Sequence, residues 1–149
     1  MLRPRGRTVC VLLGLSIMVA CGKSSSSATA PTPAGPVTET LSGTTRQTAQ
    51  GSCSGDSHNF TALDGEVSVR LLETADPSGA LSVQVCANGL DNHDCTINQQ
   101  RIAVGQTLVG ARKGASFQNL KLLPNNCLAG GPFDPNAAIT YRVSLTYIR

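Results

Sequence analysis

Ile139-Thr140-Tyr141-Arg142-Val143-Ser144-Leu145-Thr146-Tyr147-Ile148, the ten residues before the C-terminal arginine, decide the fold. Ile139, Tyr141, Val143, Leu145 and Tyr147 fall on one face, and Thr140, Arg142, Ser144 and Thr146 on the other. Strict period two over this length marks a strand with one face buried and one in solvent. Glu66–Leu71 and Leu81–Val85 alternate in the same way. Weaker strands are expected at Thr38–Thr44, Cys95–Asn98, Ile102–Val109 and Ser116–Leu122. Asp64-Gly65 separates His58–Leu63 from Val67–Leu72. That pair is favoured in two-residue type I′ turns, so a hairpin is expected there. Gly, Pro, Asn and Asp cluster between strands, as in Asp76-Pro77-Ser78-Gly79, and no segment sustains a 3.6-residue period. The expectation is an all-β, antiparallel β-sandwich of seven to eight strands, with a small β-barrel as the alternative.

The other end of the chain is of a different kind. Arg3, Arg5 and Arg7 precede an uncharged apolar run, Val9–Ala20. This is the layout of an export signal, and the run is too short for a lasting membrane span. It ends in Met18-Val19-Ala20-Cys21, which resembles the bacterial lipobox. That resemblance implies cleavage before Cys21 and lipidation (diacylglycerol and palmitate-type acyl chains) on Cys21. An ordinary signal peptide with an incidental cysteine is the alternative. Several acyl chains on one residue hold firmly where one chain holds marginally. Gly22 stands where many inner-membrane lipoproteins carry Asp, so the resemblance favours the outer membrane. The expected organisation is a signal peptide over 1–20, the lipidated Cys with a Ser/Thr/Pro tether over 21–38, and the sandwich over 39–149. The tether, with no aromatic and little to bury, cannot offset its ordering entropy.

Composition narrows the function classes. The 149 residues are 14% charged and 3% aromatic, which excludes a coiled coil and a Lys/Arg-dense nucleic-acid binder. Removing Arg3, Arg5 and Arg7 leaves nine Lys and Arg against nine Asp and Glu. The formal +3 therefore belongs to the export signal and indicates no anionic partner.

Six cysteines are present, of which Cys10 departs with the signal peptide. Outside the cytoplasm, Cys53, Cys86, Cys95 and Cys127 are expected to form disulfides. Cys86 ends a strong strand and Cys95 follows a short polar loop, which points to Cys86–Cys95 and leaves Cys53–Cys127. Zinc is the competing use, but the CxxC spacing of strong zinc patterns is absent.

Three clusters are candidate sites. Asp91, His93 and Asp94 place oxygen and nitrogen ligands within four residues. They are weak metal candidates, because the EF-hand Gly and closing Glu are missing and Asp and Asn also simply form loops. No metal or other cofactor is expected. Asp56-Ser57-His58 holds the residue types of a catalytic triad, but neighbours in a strand point to opposite faces. His58 is expected to line or cap a strand end, and no catalytic residue is assigned. Arg112-Lys113, with Lys121 nearby, could form a small anionic contact patch or a solvated turn. Gly130-Gly131-Pro132 and Asp134-Pro135-Asn136 read as loop and turn. Tyr141 and Tyr147 lie on the expected core face, which leaves few aromatics to stack on sugars.

The segments TETLSGTT, GDSHNF, DGEVSVRLL, LSVQVC and YRVSLTY follow one another in an order that resembles the bacterial pre-peptidase C-terminal type of β-sandwich. Gly114-Ala115-Ser116-Phe117 is a loose match to that family's Gly-x-Tyr strand. The resemblance implies a non-catalytic module that accompanies secreted enzymes or stands on surface lipoproteins, with some members contacting substrate or matrix. The expected function is a lipid-anchored cell-envelope protein with a binding or structural module, no enzyme and no nucleic-acid partner. A carbohydrate- or matrix-binding module is one alternative, marked by an exposed aromatic or an Asp/Asn cluster on one sheet face. A peptidase-inhibitor-like protein presenting the loop Ala87–Asp94 is the other.

Overall fold

In a computed structural model, residues 35–49, 52–87, 94–112, 114, 116–127 and 138–149 are described. The signal peptide, Cys21 and the tether up to residue 34 lie outside them, as do Asp91, His93, Lys113 and the turns expected at 130–132 and 134–136. Nine strands are seen among the described residues: β1 (Pro36–Ala49), β2 (Ser52–Gly55), β3 (Ser57–Ala62), β4 (Gly65–Thr74), β5 (Ala80–Ala87), β6 (Cys95–Ala103), β7 (Thr107–Arg112), β8 (Ser116–Pro124) and β9 (Ile139–Ile148). They form two antiparallel sheets, β2-β1-β9-β4-β7 and β3-β8-β5-β6. The all-β sandwich is therefore the fold.

The decisive segment is β9, the middle strand of the five-stranded sheet. Tyr141, Val143, Leu145 and Tyr147 are buried, as the alternation requires. Val67, Val69 and Leu71 of β4 join them from the same sheet, opposite Val83 and Val85 of β5 and Leu120 and Leu122 of β8. Phe60 of β3 packs on Tyr147 with ring centroids 4.8 Å apart. The interior is thus mostly aliphatic, filled by β-branched and Leu side chains that suit a pleated, half-buried surface.

The hairpin expected at Asp64-Gly65 does not form. β3 pairs with β8, and β4 pairs with β7 and β9, so the chain crosses from one sheet to the other at this point. The Leu63 amide donates to the Ile148 carbonyl at 2.9 Å, fixing the crossing to the end of β9. Either arrangement buries Phe60, Ala62, Val67 and Val69, so alternation alone could not distinguish them. Three further differences concern strand limits. β1 starts at Pro36 and runs to Ala49, paired with β9 from Pro36↔Ile148 onward. The single strand expected over Ile102–Val109 is broken by a turn at Val104-Gly105, where Gly105 has φ 82°. β5 is buried along its whole length, Ser82 and Gln84 included. Its neighbours supply long side chains opposite these two residues, Lys121 at Gln84 and Leu123 and Arg101 at Ser82. The turn Asp76–Gly79 is as expected, with Asp76 Oδ1 accepting from the Ser78 amide at 2.8 Å.

Both open sides of the sandwich are drawn together by close backbone approach. A Cβ on Gly55 of β2 would strike the Leu122 carbonyl of β8. On the other side, a Cβ on Gly110 of β7 would lie 2.5 Å from the Thr96 carbonyl of β6. Absent side chains let the two sheets meet there, which partly covers the sheet edges. Two disulfides add covalent ties. Cys86–Cys95 joins residues directly opposite in β5 and β6. Cys53–Cys127 joins β2 to the short 3-10 turn Asn125–Cys127 after β8, across 74 residues of sequence.

Candidate functional site

Asp56 sits where the chain leaves β2 in one sheet and enters β3 in the other. Its amide donates to the Thr44 carbonyl at 2.9 Å, and its Oδ2 accepts from the Thr44 amide at 2.8 Å and Thr44 Oγ1 at 3.2 Å. Two residues on, His58 is half-buried and its Nε2 lies 3.0 Å from the Tyr141 hydroxyl. That hydroxyl also donates to the Asp56 carbonyl at 3.4 Å. Tyr141 reaches this corner because Gly43 stands directly opposite it in the β1–β9 ladder. A Cβ on Gly43 would lie 2.5 Å from the hydroxyl oxygen. The Gly leaves a place for the ring, a cross-strand pairing known to stabilise glycines in sheets.

Burial lowers the His58 pKa from 6.5, against the opposing pull of the Asp56 carboxylate. Burial, followed by the same carboxylate, pushes the Tyr141 hydroxyl up to about 12. Neutral His58 and neutral Tyr141 are therefore the favoured forms near pH 7. Ser57, between Asp56 and His58, is exposed and lies opposite Lys121 on β8. Asp56, Ser57 and His58, read in the sequence as no triad, are adjacent in the chain, and His58 pairs with Tyr141. His58 lines the start of β3, and its bond to Tyr141 links the two sheets.

Beside this corner, Ser42, Thr44, Thr140 and Glu73 border a shallow open cleft of about 650 Å³. Glu73 is held at its rim by Arg142, at 3.1 Å. Ser, Thr and Tyr residues line much of it, yet more of the exposed lining is apolar than polar, and the Glu73 carboxylate is ion-paired with Arg142.

The acidic-loop and basic-turn candidates meet each other. Both Asp94 carboxylate oxygens accept from Arg112, at 2.8 and 3.2 Å. Arg112 is largely buried and Asp94 exposed, 13% against 65% for their side chains. A guanidinium seated on Asp94 opposes a cation there, and Asp94 likewise occupies the charge that would attract an anion. Among the described residues no three His, Cys, Asp or Glu side chains gather around a metal-sized space. The four sandwich thiols are in disulfides, which removes them as zinc ligands.

A third feature was not among the sequence candidates. Phe117 on β8 points outward and is 46% exposed, whereas the next residue, Gln118, points inward and is fully buried. Asn119 shares the outer face with Phe117. The signal was available: Leu120 and Leu122 set the inward register, which puts Gln118 in and Phe117 out.

No family model matches the chain, and searches of curated proteins and of solved structures return no match.

Proposed function

We propose that this chain is a lipid-anchored bacterial cell-envelope protein whose sandwich is a non-catalytic binding or structural module, of the pre-peptidase C-terminal type. One observation carries the reading. The two disulfides use all four cysteines beyond Cys21, so pairing makes no claim on the cysteine that ends the lipobox-like Met18–Cys21. Disulfides of this kind persist in oxidising compartments, in agreement with export. The polar groups at the Asp56 corner support the non-catalytic part, because each is used to hold β1, β3 and β9 together. The module would stand off the outer membrane on its tether, with the lipid at Cys21 as its membrane contact and no nucleic-acid partner.

Metabolic labelling with palmitate, followed by membrane fractionation, tests the anchor. The native chain should carry label and sediment with outer membranes, and Cys21→Ser should lose both properties. Label that survives Cys21→Ser would overturn the reading. The carbohydrate-binding alternative is favoured by a specific observation, the outward Phe117 beside Asn119. The inhibitor alternative rests on a loop whose residues 88–93 lie outside those described.

A further inference from the structure

At the start of β8 an exposed aromatic stands directly beside a buried amide; other described strands also bury an amide, as at Gln47 and Gln84, or expose an aliphatic, as at Val109, but none exposes a ring. Of the described aromatic rings, Phe60, Tyr141 and Tyr147 are buried, and Phe117 alone is presented on a sheet face. Its sequence neighbour is inverted in the opposite sense. Gln118 lies in the core, donates from Nε2 to Ser116 Oγ at 2.6 Å, and leaves Oε1 buried without a partner. Exposing Phe and burying an amide with an unpaired acceptor both oppose folding. Breaks of this kind concentrate at functional surfaces. One residue further on, Asn119 is about nine-tenths buried on the same outer face as Phe117, and its Oδ1 also lacks a partner.

The surroundings of Phe117 indicate what it would meet. Thr61 lies directly opposite it on the edge strand β3, and Asn59 lies directly opposite Asn119. Asn119 Nδ2 donates to Asn59 Oδ1 at 2.6 Å, and Asn59 itself is exposed. Lys121 is the nearest charge along the outer face of β8. One aromatic ring ringed by amides and a hydroxyl is a poor match for a protein interface core, which gathers several apolar anchors. It matches a neutral sugar, which offers a C–H face to an aromatic plane and a rim of hydroxyls to amide and hydroxyl partners.

We infer that the outer face of β8 and β3 is a glycan-binding site. Phe117 is the stacking platform, the exposed Asn59 and Thr61 are the hydrogen-bonding rim, and the buried Asn119 positions Asn59. The inference rests on the binding-module reading above and names its ligand class, a neutral oligosaccharide.

Cellohexaose and chitohexaose, by titration calorimetry, and insoluble cellulose and chitin, by co-sedimentation, serve as probes against the full chain in detergent. At least one should bind. Phe117→Ala should weaken that binding about tenfold, Phe117→Trp should keep it, and Asn59→Ala should weaken it less. Thermal unfolding of each variant shows that folding is intact, since Phe117 is half-exposed. No binding to any probe by the folded chain would overturn the inference, as would binding indifferent to Phe117→Ala. Either result leaves the palmitate experiment on Cys21 unaffected, so failure of the site and failure of the anchor are separable.

Discussion

Removing the long disulfide should cost this sandwich far more than removing the short one. The bond between Cys53 and Cys127 spans 74 residues of sequence and the bond between Cys86 and Cys95 spans 9. In the chain-entropy description, a cross-link stabilises by restricting the unfolded chain, and its effect grows with the logarithm of loop length. These separations give about 4.4 kcal/mol for the long loop and about 2.6 kcal/mol for the short one. The short loop is nested inside the long one. Its closure shortens the outer path by about nine residues, which changes the larger value by only ~0.1 kcal/mol. Native geometry pushes the same way. Cys86 and Cys95 face each other in a ladder that holds them without the bond. Cys53 sits on a four-residue strand at the edge of its sheet, and Cys127 sits in a single 3-10 turn. A domain of this kind has a total stability on the order of 5–15 kcal/mol, so losing the long bond removes a large share.

The measurement is urea unfolding of two double variants, Cys53→Ala/Cys127→Ala and Cys86→Ala/Cys95→Ala, in a Cys21→Ser background that removes the proposed lipidation site. The chain has no Trp and two Tyr, Tyr141 and Tyr147, both buried, so tyrosine fluorescence reports the core directly. With a urea slope of roughly 1.5 kcal/mol per molar, the midpoint should fall by about 3 M for the long bond and under 2 M for the short one. The slope itself should rise more in the first variant, because the released chain exposes more surface when unfolded. Equal losses, or a larger loss from Cys86→Ala/Cys95→Ala, would refute loop entropy as the dominant contribution. They would assign the stabilisation to local contacts of the β5–β6 ladder.

Four further outcomes are expected. His58 has a folded pKa below its ordinary 6.5, so the native state takes up its proton less readily than the unfolded chain. Its contribution is fully present above pH 6.5 and is lost as pH falls below it, so the stability difference between the native chain and His58→Gln should shrink on acidification; a difference that is flat with pH counts against this. Both tyrosines are held protonated: Tyr141 up to about 12, and Tyr147 upward through burial first and then its hydrogen bond to Glu39. Absorbance at the phenolate band should therefore show both native tyrosines titrating above the unfolded chain, Tyr141 the higher at about 12, and a native titration no higher than the unfolded one would contradict the described burial. Gly43→Ala forces Tyr141 away from His58, at a cost of roughly 1–3 kcal/mol, and should bring the Tyr141 titration down toward its ordinary range; an unchanged titration would mean the ring does not lie over Gly43. Gln118→Leu removes a buried amide with an orphaned acceptor and should stabilise the fold by about 1 kcal/mol, a loss of that size being the contrary result in chemical unfolding.

The faces of most strands were legible because period two is enforced wherever one side is buried. Tyr141, Val143, Leu145 and Tyr147 show this in β9, and Val67, Val69 and Leu71 in β4. Neighbours were not legible in the same way. Phe60 and Ala62 face the core whether β3 lies beside β4 or across from it, so Asp64-Gly65 read as a hairpin where the chain in fact changes sheets. β2 was missed because Ser52-Cys53-Ser54-Gly55 carries no alternation, and its pairing is set by the chain around it. The disulfides were readable from loop length and strand ends, without the fold.

The two polar features divide along the same line. His58 and Tyr141 stand 83 positions apart in sequence, and their contact depends on β1 placing Gly43 under the ring and on the corner at Asp56. Nothing local in GDSHNF or YRVSLTY announces it. Phe117, Gln118 and Asn119 lie on one strand, and their facing follows from Leu120 and Leu122 alone. The inversion was present in the sequence, hidden because an aromatic in a strand reads as a core residue until its register is counted. In an antiparallel sandwich, features made along one strand can be found by extending the register of its aliphatic residues. Features made between strands become visible only when the topology supplies the neighbour.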